Sequence, residues 1–72
     1  MTLPQSGQIL RLFEIVQGIR PGFYVFLEEG LVTANLCVVG EDEDGDLCKT
    51  DQIMNVHIEF LDLFRPVGLT IV

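Results

Sequence analysis

Positive charge is scarce in this chain: Arg11, Arg20, Lys49 and Arg65 are its only cations against eleven Asp and Glu, giving a formal net charge of −7. Such a balance opposes approach to phosphate backbones and anionic lipid surfaces. Any contact with nucleic acid therefore needs those few cations gathered in one place. Cysteine is also sparse. Cys37 and Cys48 form a single pair, far below the density of small disulfide scaffolds, and no charged-then-apolar leader precedes residue 20, so a reduced, cytoplasmic setting is expected. Long apolar runs are missing as well: Arg11, Glu14, Glu28 and Asn35 interrupt them before the roughly 18 residues that a helical membrane span requires. Nucleophilic chemistry has little material, since Ser6 is the only serine and His57 the only histidine. Gly40 and Gly45 follow neither the dinucleotide-binding nor the P-loop spacing.

What is present is apolar. Hydrophobic residues make up 49% of 72 residues, and mean hydropathy is +0.42. Residues 1–72 suffice for one domain, at a size where a single core leaves much of the chain in contact with water. The excess apolar material implies a protein interface, and with so few cysteines the expected route to extra burial is homo-oligomerisation. Glu41, Asp42, Glu43, Asp44, Gly45 and Asp46 place five of the eleven acids between two apolar runs. Asp-Gly between strand-like segments signals a tight hairpin, because a type I′ turn needs positive φ at both central positions. Asp44 and Gly45 are thus expected at the tip of a charged, solvated loop.

The polar positions of residues 7–19 favour a helix: Ile9, Leu12, Phe13, Val16 and Ile19 fall on one face, Arg11, Glu14 and Gln17 on the other, and only Leu10 is misplaced. Ser6 is the expected N-cap and Gly18 lies near the end. Arg20-Pro21-Gly22 breaks the chain. Strands are then expected at Phe23 to Glu28, Leu31 to Val39, Leu47 to Thr50, Ile53 to Leu61 and Val67 to Val72, with a turn at Glu28-Glu29-Gly30 between the first two. In the fourth, Met54, Val56, Ile58 and Phe60 alternate with Asn55, His57 and Glu59. An apolar terminal strand either completes a closed sheet or pairs with a neighbouring subunit. The expected fold class is therefore α+β, an N-terminal helix on a strongly bent five-stranded antiparallel sheet.

One helix followed by five strands, with Phe26-Leu27-Glu28-Glu29-Gly30 leading into the long strand Leu31 to Val39, and Phe64-Arg65-Pro66-Val67-Gly68 before the last strand, resembles the Sm and Sm-like proteins. The chain departs from that pattern at Asn35, where the family favours a small Gly, in its acidic loop, and in lacking the Asp-x-x-x-Asn spacing. The resemblance implies a small bent barrel that closes through neighbouring subunits into a ring, with RNA near the pore. Only Arg65 matches a nucleotide-contacting position.

Clustered carboxylates supply hard oxygen ligands for calcium, but aligning Gly45 with the EF-hand glycine puts Gly40 at the first ligand position and Asp51 at the last. A solvated hairpin tip fits better. Cys37, Cys48 and His57 lack the paired spacing of a zinc site. With the tip at Asp44-Gly45, Cys48 falls opposite Glu41, which disfavours a disulfide to Cys37. His57 and Glu59 share a strand face and form the one conceivable acid–base pair, also readable as a solvated face or subunit contact. No cofactor and no metal site are expected. The preferred function is a non-enzymatic, homo-oligomeric binding or assembly module. Arg65, Arg20 and Lys49 would line any nucleic-acid site. The alternative is an acidic decoy that docks a basic protein surface through Glu41, Asp42, Glu43, Asp44 and Asp46.

Overall fold

The computed structural model describes residues 4–70. Five strands, β1 (Gln8–Leu12), β2 (Gly22–Glu29), β3 (Thr33–Glu41), β4 (Leu47–His57) and β5 (Phe64–Thr70), form one antiparallel sheet in the order β4-β3-β2-β1-β5. A short 3-10 helix, Ile58–Leu63, links β4 to β5. The sheet is neither closed nor strongly curled, which corrects the bent-barrel expectation. None of its helices is long and apolar enough to cross a membrane, among the described residues.

The expected N-terminal helix over residues 7–19 is absent, and with it the N-cap role of Ser6. The first half of that segment is β1, and the second is a miniature hairpin. Val16 and Ile19 exchange both backbone hydrogen bonds, at 3.2 and 2.8 Å, around Gln17 and Gly18 with φ of 50° and 79°. Positive φ at both central positions is the type I′ geometry. The helical pattern misled because β1 lies inside the sheet, where Ile9 and Leu10 on opposite faces are both buried, at 2% and 0% exposure. Phe13, which the helix would have buried, is 61% exposed.

β2 and β3 lie close to their expected positions. The two strands expected at 47–50 and 53–61 are instead one eleven-residue strand, β4, bulged in the middle. Cys37 pairs with Ile53 but Val39 with Lys49, so Val38 alone faces Thr50, Asp51 and Gln52. The Thr50 hydroxyl fills the gap, donating to the Val38 carbonyl at 2.8 Å and accepting from the Gln52 amide at 3.3 Å. Alternation ends at His57, and Ile58 to Leu63 turns into the 3-10 helix. β5 starts at Phe64, earlier than expected; Ile71 and Val72 lie outside the described residues.

One sheet face carries the main core. Leu10, Leu12, Tyr24, Phe26, Ala34, Leu36 and Val56 pack there beneath Val16 and Ile19 of the miniature hairpin and Leu61 of the 3-10 helix. Tyr24 meets Phe64 edge to face at 5.6 Å, a geometry that aligns ring edge and ring face favourably. Its hydroxyl donates to the Arg20 carbonyl at 2.5 Å, and burial raises its pKa. The second face holds a smaller cluster, Ile9, Val25 and Cys37, flanked by Phe23, Leu27, Val39 and Leu47. Large apolar side chains remain exposed along the outer strands, Ile53 at 64% and Leu69 at 55%.

Candidate functional site

The β3–β4 turn is a three-residue loop and differs from the two-residue type I′ tip expected at Asp44-Gly45. The Gly45 amide donates to the Asp42 carbonyl at 3.0 Å, and the Asp42 amide to the Asp46 carbonyl at 2.9 Å. Gly45 alone has positive φ, 83°. This is a type I turn followed by a left-handed residue, the usual form of a three-residue hairpin loop. Asp42 is built into it: one carboxylate oxygen accepts from the Asp44 and Asp46 amides, both at 2.9 Å. The register places Cys48 opposite Gly40 and Glu41 opposite Leu47, one position from the expected alignment. Cys37 and Cys48 are both free thiols.

Carboxylate oxygens of Asp42, Asp44 and Asp46 lie within 4.8 Å of one another, all exposed. Because Asp42 already serves the backbone, the group reads first as turn architecture. Glu41, Glu43, Asp44 and Asp46 carry the remaining charge of the tip, and all are exposed.

The structure places Arg65 and Lys49 in one transverse row and Arg20 outside it. Arg65 on β5 stands directly opposite Arg11 on β1; Arg11 stands opposite Phe23 on β2. Pairing of Tyr24 with Val38 sets Phe23 beside Val39, and Val39 faces Lys49 on β4. Directly opposed residues share a sheet face, so three of the four cations project from the face of the smaller cluster. Four strand spacings of about 4.8 Å put Arg65 and Lys49 roughly 19 Å apart. The Arg11 guanidinium lies over the Phe13 ring at 4.7 Å and near the Phe23 ring at 5.2 Å. Arg20 sits in the loop before β2 and is exposed. Sequence reasoning missed Arg11, Phe13 and Phe23 because the helical assignment took Arg11 off the sheet; a strand reading of Ile9, Arg11 and Phe13 puts all three on one face.

His57 Nδ1 lies 3.6 Å from Glu59 Oε1, with both side chains exposed. A cavity of about 390 Å³ is lined by residues 17–24, Val38, Val39, Gln52 and Met54; His57 and Glu59 are not among them, so the acid–base reading gains no enclosed site there. Comparison with known proteins gives no match to a family model, to a curated protein or to a solved structure.

Proposed function

We propose that this chain is a non-enzymatic binding and assembly module that associates with copies of itself through the edges of its sheet. One observation carries this reading: the sheet is open, and each of its two outer strands carries exposed apolar side chains. β4 pairs only with β3 and β5 only with β1 among the described residues. Ile53 on β4 and Val67 and Leu69 on β5 are exposed at 64%, 36% and 55%. Unpaired backbone groups beside apolar side chains form a template for another strand. A ring of the Sm-like kind is one closed form such pairing can take. An RNA-related role would then fall on Arg65 and Lys49, joined by Arg11. A cytoplasmic location accords with two free thiols.

The second reading is docking of a basic surface by the acidic tip. Its support is the hydrogen bonding of Asp42, which holds the tip in one shape before any partner arrives.

Light scattering of the full chain at low and high salt tests the first reading. An edge-paired assembly keeps a mass several times 8.1 kDa in high salt, since apolar contact and backbone pairing are weakly screened. Leu69→Lys, at an exposed position, should reduce that mass while circular dichroism stays unchanged. A wild-type monomer at all concentrations and salts refutes the reading.

A further inference from the structure

Arg11 and Arg65 are opposed on neighbouring strands, and like charges in that position destabilise a sheet. Neither they nor Lys49 has a carboxylate within ion-pair distance among the described residues, although the chain holds eleven. Arg11 is further held over Phe13 and Phe23. Aromatic rings favour a cation over their faces and leave the in-plane N–H groups of the guanidinium for an oxyanion. Arg11 is therefore held in place, and the row is an uncompensated positive surface on an acidic protein.

The matching negative surface is on the same chain. Glu43, Asp44 and Asp46 stand exposed on a turn held by Asp42. Within one molecule the two cannot meet at the Arg pair: the tip joins β3 and β4, whereas Arg65 is on β5 at the opposite edge of the sheet. We propose that the Arg11–Arg65 face docks the acidic β3–β4 tip of a second copy of this chain. This rests on the reading of self-association and names a second contact for it, distinct from the edges. Tip and row are different patches, so two copies can dock reciprocally about a two-fold axis or join head-to-tail into a ring or filament.

Net charge does not forbid it. At about 0.1 M salt the Debye length is roughly 10 Å, while the molecule measures 36 × 24 × 20 Å. Repulsion between the bulk of two −7 chains is then largely screened, and paired charges in contact are screened much less.

The test uses two full-length variant sets, E43Q/D44N/D46N for the tip and R11Q/R65Q for the row, with Asp42 left in place to hold the turn. Light scattering is run at about 0.1 M and about 1 M salt, where the Debye length falls to roughly 3 Å, with circular dichroism to confirm folding. Wild type should lose mass between the two salts, each variant alone should lack that salt-sensitive part, and an equimolar mixture should gain one tip–row contact per pair of unlike variants, heavier than either alone but short of wild type, because each supplies the one patch the other lacks. A row variant with wild-type mass at about 0.1 M, or a mixture no heavier than its components, overturns the proposal. Salt-resistant mass that disappears only in Leu69→Lys would leave edge pairing standing and remove tip docking. A wild-type monomer at both salts would remove both.

Discussion

Gly18→Ala separates the hairpin at residues 16–19 from a helix by the sign of its effect. An alanine Cβ at this position meets nothing within 4 Å, so packing adds no cost and the backbone decides. At φ of 79° an L-residue is disfavoured by about 1–2 kcal/mol, offset by about 0.4–1 kcal/mol from the lower entropy of the unfolded chain. The net expectation is a loss of about 1 kcal/mol. Were residues 7–19 helical with Gly18 itself in helical backbone, the same change would stabilise the protein by roughly 0.5–1 kcal/mol, the ordinary advantage of Ala over Gly inside a helix. Urea unfolding with a slope of about 1 kcal/mol/M resolves the two as midpoint shifts of about 1 M in opposite directions. Protein concentration is held fixed, because self-association shifts apparent stability. Gly18→Asn serves as the control: Asn tolerates the left-handed region, so it should lose less than Ala. A midpoint raised by Gly18→Ala would refute the turn and restore the helix.

Substitutions in the acidic loop and at Tyr24 probe the turn and the buried hydroxyl. Asp42→Ala removes the acceptor of two backbone amides and should cost about 1 kcal/mol, read by urea unfolding. Asp42→Asn, which keeps a carbonyl oxygen, should lose less, and Glu43→Gln should stay within about 0.5 kcal/mol of wild type. Tyr24→Phe removes the hydroxyl bonded to the Arg20 carbonyl and should cost about 1 kcal/mol. Because burial raises the Tyr24 pKa above its ordinary value, the folded state holds its proton more tightly than the unfolded state. The stability from that difference is present in full below about pH 10 and is lost as pH rises through the folded-state pKa. Thermal unfolding across the alkaline range should show a smaller decline in Tyr24→Phe than in wild type.

The strand pair on either side of Gly30 and the solvated acidic loop were legible because turn residues there bound segments of clear strand character. β1 was not, for a physical reason. It is an inner strand with apolar contacts on both faces, so Ile9, Leu10 and Leu12 give no period of two, and five apolar positions fell by chance onto a helical stripe. Leu10, the residue that did not fit the helix, was the remaining sign. β4 was split in two because the bulge at Thr50, Asp51 and Gln52 places three polar residues in succession, which on sequence alone is a loop. The site suffered from the same error. Lys49 and Arg65 were legible as scarce cations, but the row they belong to exists only once Arg11 is on a strand between Arg65 and Phe23.

β5 shows why edge and face contacts should be separable. Phe64 is buried, but every residue from Arg65 to Thr70 is exposed, and only β1 pairs with the strand among the described residues. Fixing one backbone residue costs about 1–2 kcal/mol, and a backbone hydrogen bond returns about 0.5–1.5 kcal/mol net. A strand that buries almost no side chain beyond its first residue therefore stands near balance, and a neighbour would tip it. A neighbour can do so in two ways that use different atoms. A strand added along the outer edge takes backbone groups and covers Leu69, a contact that salt hardly weakens. An acidic tip laid on the face takes the guanidinium edges of Arg11 and Arg65, a contact that salt dissolves. Since Leu69 and Arg65 belong to the same strand, either contact orders the element on which the other depends, and the two should reinforce each other where both are intact.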